Sequence, residues 1–419
     1  MEAVADTCGG KAGALGALHR AGLPVPDGFV VPFAAYLAAV RDLDLGRLDG
    51  EADDADEIDA VDAVDAVRQA IGARPIHAAV ADALGRALGE LGDPPVAVRS
   101  SAAGEDTGQA SAAGQHESFL AVRGVGEVAA AVRACWASLF SSRAIAYRAA
   151  SGRHDRRSGD LLMAVIVQRH VDAEASGVMF TPADRSDATR IEASWGLGPS
   201  IVEGRVTPDT YRVAGDGSVT RTVADKQSRL DRRGARLVVH DVPTATRNQP
   251  AIDDATAVRL AELGERAAAV LGGPQDVEWA IAGGRTWVLQ ARPVTAALPP
   301  PASPSGAPDT PAATFYGTPG SHGTVTGTAR IVRGPVDFAR VRSGDILVCP
   351  FTDPAWTPLL RIAAGVVTET GGVLSHAAIV AREHAIPAVL GLPNATSDLR
   401  DGTVVTIDGT TGTVTAKGD

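Results

Sequence analysis

Between residues 298 and 313 the chain reads LPPPASPSGAPDTPAA, six prolines set among small side chains. Such a stretch has too little apolar surface to pack a core and prefers extended, polyproline-like geometry. A structureless loop of that length is uncommon inside a compact domain, so it reads as a linker. It divides the 419 residues into an N-terminal region, 1–295, a flexible linker, 296–313, and a C-terminal unit, 314–419. Two or three compact units suit a chain of this length. At about 3.1 Å per residue the linker spans roughly 45 Å, enough for the C-terminal unit to travel.

On either side of the linker, hydrophobic patterning gives a mixed α/β (α+β) class. In the N-terminal region helices are expected over residues 11–22 and 137–150, and strands over 94–101, 161–171, 189–194 and 285–294. In the C-terminal unit short strands are expected over 344–350, 364–370 and 402–408, with a helix over 375–384. Residues 51–65 carry eight carboxylates, and Ile58, Val61, Val64, Val67 and Ile71 recur at helical spacing through and beyond them. That pattern is an amphipathic helix with a solvated acidic face rather than a metal site.

A formal net charge of −11 excludes the strongly basic surface that would hold a phosphate backbone, so no nucleic-acid partner is expected. A nucleotide needs only a few cations within a cleft and is not excluded. Cys8, Cys135 and Cys349 are odd in number and widely spaced, which suits a reducing compartment rather than a disulfide frame or zinc site. The first residues lack the basic-then-apolar pattern of a signal peptide. The longest apolar run, 161–167, is too short to span a bilayer. A cytoplasmic protein with no membrane partner is the expectation.

The segment TETGGVLSHAAIVAREHAIPAVLG, residues 368–391, concentrates the chemistry. A buried strand runs into Gly371 and Gly372, then Ser375 stands where it can cap a helix starting at His376. The positive end of a helix dipole disfavours an imidazolium, which keeps such a histidine neutral and nucleophilic near pH 7. The free amides of the same turn can hold the charge of a phosphoryl group. On these residues alone, a histidine so placed is more often a cap or a surface residue.

GGVLSHAAIVARE followed by IPAVLG closely resembles the phosphohistidine domain of the phosphoenolpyruvate synthase, pyruvate phosphate dikinase and rifampin phosphotransferase families. GTPGSHGTVTGTARIV, GDILVCPFTDPAWTPLL and DGTVVTIDGTTGTV extend the likeness over nearly all of residues 314–415. It implies a swivelling domain in which His376 accepts phosphate. His116, His170, His322 and His384 lie outside that pattern and are expected to be structural or surface residues.

The N-terminal region resembles the ATP-grasp domain of the same families. GGKAGALGALHRAGLPVPDGFVV places Lys11 where the family holds the ATP phosphates. VAVRSSAAGEDTGQASAAGQHESFL supplies Arg99, then a small-residue loop whose Ser111, Gly114 and Gln115 approach the nucleotide. AVIVQRHVDAEASGVMFTP resembles the adenine-side strand and hinge, with Gln168, Arg169, His170 and Val171 as contacts; the family usually has methionine at His170. WGLGPSIVEGRVTPD carries Pro199 in place of the usual glutamate. In QDVEWAIAGGRTWVLQARPVT, Gln290 and Arg292 are two apart and face one side of a strand. Glu278 precedes them on an adjoining strand. A carboxylate and an amide oxygen suit Mg²⁺ bridging phosphates, and Arg292 suits a transferring phosphoryl group.

The resemblance implies an ATP- and Mg²⁺-dependent phosphotransferase in which Lys11, Arg292 and His376 are catalytic. Glu278 and Gln290 hold the metal, and Lys11, Arg99 and Arg292 hold the phosphates. His376 would take the β-phosphate of ATP with release of AMP and phosphate, then pass it to a small-molecule acceptor. Neither the pyruvate-binding barrel nor the antibiotic-binding domain of the families is matched. The acceptor stays unnamed, and a separate acceptor-binding protein, a ligase-type condensation and a nucleotide-binding subunit of a split complex stay open.

Overall fold

A computed structural model describes residues 4–43, 45, 57–104, 117–141, 144–145, 161–184, 187–295 and 313–416. The linker at 296–312, the start of the acidic stretch, the loop with Ser111, Gly114 and Gln115, His116 and most of the helix expected at 137–150 lie outside these residues. The described start of that helix is instead the end of a helix at Val125–Ala137 followed by a 3-10 turn at Ser138–Phe140. The chain forms two compact units. One comprises Met1–Asp172, Asp231–Val238 and Glu262–Pro293; the other comprises Ala173–Leu230, Val239–Ala261 and Val294–Asp419.

In the first unit, strands β1 (Gly28–Val31), β2 (Val96–Ala102), β3 (Ser118–Val122) and β4 (Met163–Arg169) form an antiparallel sheet in the order β1-β4-β2-β3. Alternation decides its two faces. Val96 and Val98 on β2, and Met163, Val165 and Val167 on β4, enter an apolar core with Tyr36, Trp136 and Phe140. Arg99 and Ser101, in the alternate register of β2, take the opposite face. Helix α1 (Ala5–Arg20) starts earlier than residue 11 and is broken at Gly9, whose φ is +79°. A Cβ on Gly9 would stand 2.5 Å from Ser101 Oγ, so both the backbone turn and the close approach require glycine. The amphipathic helix expected around the acidic stretch is present at Glu57–Ala73, with Val64, Val67 and Ile71 on the core.

The hairpin of Gln275–Ala282 and Arg285–Pro293 completes this unit, with a bulge after Glu278. It is tied to the segment after α1 by the Val288 N–H, which donates to Pro24 O at 2.8 Å.

The second unit carries an antiparallel meander of β5 (Ala175–Phe180), β6 (Thr189–Trp195), β7 (Asp209–Val213) and β8 (Val219–Thr222). Beneath it, Lys226 Nζ and Asp209 Oδ1 form a fully buried ion pair at 2.6 Å. Asp209 also accepts the amides of Ala224 and Ala251, so every charge in the pair is answered, which buried ions require.

An eight-stranded mixed sheet fills the C-terminal part. Thr324–Ile331, Ile346–Cys349, Gly365–Thr368 and Ala388–Leu390 pair in parallel. Their residues alternate between two cores: Leu347, Cys349 and Val366 face the helices, while Ile346, Val348 and Val367 face the other layer. The helix His376–Glu383 is the crossover between the third and fourth parallel strands. Its first turn follows the carboxyl end of Gly365–Thr368, the place where open parallel sheets present their ligands. Among the described residues no helix is long and apolar enough to cross a membrane.

Candidate active site

Two groups of residues are assembled, one in each unit. In the first unit the broken turn of α1 is fastened to β2. Ser101 Oγ donates to Cys8 O at 2.7 Å and accepts the Ala12 amide at 3.1 Å. The turn that carries Lys11 is thereby anchored at Ser101, two strand positions from Arg99.

Arg99 Nη1 lies 3.4 Å from Glu278 Oε2, 3.3 Å from Gln290 Oε1 and 3.4 Å from Leu289 O. The hairpin register sets this convergence, because Glu278 faces Gln290 and Asp276 faces Arg292 directly across the strands. Three of the residues expected at the nucleotide phosphates are therefore in one cluster. Arg99 Nε is buried with no hydrogen-bond partner among the described residues, a donor available to an anion. Arg292 donates from Nε and Nη2 to Asp276 Oδ2, both at 2.8 Å, and is nearly buried. Asp276 was not singled out in the sequence, although its place two residues before Glu278 puts both carboxylates on one strand face.

Three oxygens meeting at one guanidinium nitrogen mark a place where positive charge is favoured. The hard-oxygen pair Glu278 and Gln290 fits Mg²⁺ in its donor chemistry. No group of three or more His, Cys, Asp or Glu is arranged for a metal among the described residues. A divalent ion here would draw its remaining ligands from phosphate oxygens and water.

At the end of β4, the Arg169 amide donates to Asp27 O at 2.8 Å and the His170 amide to Pro95 O at 2.9 Å. Gln168 is buried with Nε2 on Pro26 O at 3.3 Å, and Val171 is half-buried. These amides are thus given to the protein's own carbonyls. The His170 side chain is 3% exposed, with Nε2 3.5 Å from Asp172 Oδ1. Burial pushes its pKa down to about 4; Asp172 opposes the shift, while Arg232 and Arg99 add to it. His322 and His384 are exposed. Pro199 opens the short helix Pro199–Val202 at a position where a missing N–H costs nothing.

In the second unit His376 is 3% exposed. Thr352 Oγ1 is 2.9 Å from Nδ1 and Thr357 Oγ1 is 3.3 Å from Nε2. Both ring nitrogens therefore have a hydroxyl partner, and either neutral tautomer is satisfied. Ser375 holds the N-cap position, but its hydroxyl donates to Gly372 O at 2.8 Å instead of accepting a helix amide. The expected cap thus closes the preceding turn and leaves the amides of the first helical turn to other acceptors. Arg382 Nη1 binds Gly320 O at 2.9 Å and Val373 O at 2.8 Å, fixing the helix against that turn. Thr352 and Thr357 belong to FTDPAWT, a segment read from sequence only as part of the domain's approach; no pattern in it announced contact with the ring.

The profile described as "Pyruvate phosphate dikinase, AMP/ATP-binding domain" matches residues 5–304, and the one described as "PEP-utilising enzyme, mobile domain" matches residues 341–412. The chain belongs to the pyruvate phosphate dikinase family. Its fold class is accordingly mixed α/β (α+β), an ATP-grasp-like nucleotide-binding domain followed by the swivelling domain of this family. Relatives are 39% identical in Methanothermobacter thermautotrophicus ("Probable phosphoenolpyruvate synthase") and 37% identical in Archaeoglobus fulgidus, under the same description. One from Aeropyrum pernix, "Phosphoenolpyruvate synthase", is 35% identical. Each match covers 97% of this chain, whereas the chain spans 61%, 56% and 56% of the three relatives' own length.

Proposed function

We propose that this protein is an ATP-dependent, dikinase-type phosphotransferase with His376 as the phosphate carrier. The domains of that activity are residues 1–295 for the nucleotide, 296–313 as linker and 314–419 as the swivelling part. The observation that carries the reading is the setting of His376 within the family's mobile domain. It stands at the start of a crossover helix, with each ring nitrogen held by a threonine hydroxyl.

In this mechanism the closer hydroxyl, on Thr352, accepts a hydrogen bond from Nδ1–H and leaves the Nε2 lone pair for attack. Attack at the β-phosphorus of ATP breaks its bond to the AMP oxygen and places a pyrophosphoryl group on the ring. Water then releases orthophosphate, and a phosphohistidine remains. Lys11, Arg99 and Arg292 hold the triphosphate, and Asp276 aims Arg292. Glu278 and Gln290 would hold Mg²⁺, which supplies neutralising charge to the phosphates. Positioning and charge neutralisation do most of the work in such a transfer. By the family resemblance, Ser111, Gly114 and Gln115 would add contacts to the phosphates, and residues 168–171 would border the base.

The relatives are named for phosphoenolpyruvate, which makes pyruvate the first small-molecule acceptor to test. Cys8, Cys135 and Cys349 are free, buried thiols, which supports a cytoplasmic setting. The decisive experiment is incubation with ATP labelled at the β-phosphate. Acid-labile, alkali-stable label on the wild type and none on His376→Ala is expected. An unlabelled wild type would refute the reading and favour a nucleotide-binding subunit. AMP release that requires an added protein would place the acceptor on a partner, and AMP release with product condensation would indicate a ligase.

A further inference from the structure

Strand β6 carries a carboxylate in a place that normally excludes one. Glu192 is 2% exposed, and β6 is paired on both sides, with Val178 of β5 and Thr210 of β7 as its register partners. Glu192 Oε1 accepts the Leu374 amide at 3.2 Å. Leu374 lies in the turn between Gly371 and His376, two residues ahead of the phosphate-accepting ring. The strand falls within the AMP/ATP-binding match and the turn within the mobile-domain match, so this hydrogen bond joins two family domains.

The turn is shaped for that carboxylate. A Cβ on Gly372 would stand 2.6 Å from Glu192 Oε2 and nearer still to Oε1. Gly372 is not among the positive-φ glycines, so its requirement is for space and not for backbone freedom. The surrounding contacts run the same way. Thr370 Oγ1 donates to Gly204 O at 2.5 Å, and the Arg205 guanidinium lies 4.5 Å from the Phe351 ring centre. Leu374 and Ile379 join Val178, Phe180, Ile201 and Val206 in one apolar cluster.

We propose that Glu192 is a positioning residue that seats the turn preceding His376 on β6 and so sets the ring's place for phosphoryl transfer. The proposal rests on the phosphotransfer reading. The Leu374 amide gives this buried carboxyl oxygen a hydrogen-bond partner. A carboxylate stripped of such partners in a dry interface is costly, so the contact favours one seating of the turn over near alternatives. Apolar packing alone would hold the helix without choosing among them.

The test measures phosphohistidine formation in single turnover, with KM for ATP, ATP affinity and the melting midpoint taken on the same preparations. Glu192→Ala is expected to lower the rate at saturating ATP about tenfold or more, with KM and ATP affinity unchanged. Glu192→Gln keeps an oxygen acceptor and is expected to recover most of that loss. Gly372→Ala should slow the wild type because the methyl group meets the carboxylate. It should add nothing in the Glu192→Ala background, where space has been made.

Glu192→Ala labelling at the wild-type rate would overturn the assignment, as would a loss expressed wholly in KM. Independent, multiplicative effects of Glu192→Ala and Gly372→Ala would overturn it too. If the alanine variant does not fold, Gly372→Ala and Gly372→Ala combined with Glu192→Gln carry the comparison, and wild-type speed in the first refutes the contact. A wild type that takes no label refutes the phosphotransfer reading itself, a result distinct from all of these.

Discussion

At the residue scale, the pairing of Arg292 with Asp276 has a measurable cost. Asp276→Ala leaves a nearly buried guanidinium without its carboxylate, and such a break typically costs about 3 kcal/mol. The urea midpoint should fall accordingly, and phosphohistidine formation should fall with it because Arg292 loses its aim. Unchanged stability would mean that Arg292 relaxes to other acceptors. His170 gives a second prediction, with a sign. Its folded pKa, about 4, lies below the ordinary histidine value of 6.5. Between these values the unfolded chain binds a proton that the folded chain refuses. Stability is therefore full above pH 6.5 and is lost as the pH falls toward 4, by at most about 3 kcal/mol. His170→Met should remove that part of the pH dependence, and denaturant titrations of both proteins at pH 7 and pH 4.5 would show it.

At the element scale, the turn that opens α1 and the crossover helix each depend on one small feature. Gly9→Ala meets both a left-handed backbone and the Ser101 side chain. It should cost about 2 kcal/mol or more in thermal or chemical unfolding and weaken ATP binding through displacement of Lys11. Thr352→Ala should slow His376 phosphorylation about tenfold by freeing the ring's tautomer, with Thr352→Ser restoring it. Equal rates in single-turnover labelling would show that Thr352 only fills space.

The elements that carry these predictions were legible to different degrees. Val96–Ala102, Met163–Arg169 and Gly365–Thr368 were legible as strands from the short apolar runs VAV, MAVIV and GVV that open them, whereas His376 was singled out by the family resemblance of the segment around it. Glu278, Gln290 and Arg292 were expected from the family resemblance, with strand alternation placing Gln290 and Arg292 on one face. Glu192, Asp276, Thr352 and Thr357 were not, because their partners lie far along the chain and no local period encodes a contact between distant segments. The expected cap at Ser375 went astray for a local reason. A serine hydroxyl can serve the turn behind it as readily as the helix ahead of it, and here it donates to Gly372 O and accepts no helix amide.

At the scale of the whole molecule, one compact unit contains β5–β8 together with the complete C-terminal sheet, although the family profiles divide these segments between two domains. His376, in that unit, is 3% exposed. Carbethoxylation followed by mass spectrometry should therefore modify exposed His322 about tenfold faster than His376. Equal rates would show that the seated arrangement is a minor one in solution.

Lysine stands at only three positions in the sequence, 11, 226 and 417. The ammonium of Lys226 is sealed against Asp209 and is closed to reagents that acylate amines. A nucleotide carrying an acyl-phosphate warhead therefore meets almost no competing side chain on this protein. Acylation of Lys11, suppressed by excess ATP, would read occupancy of the nucleotide pocket directly, without any need to know the acceptor.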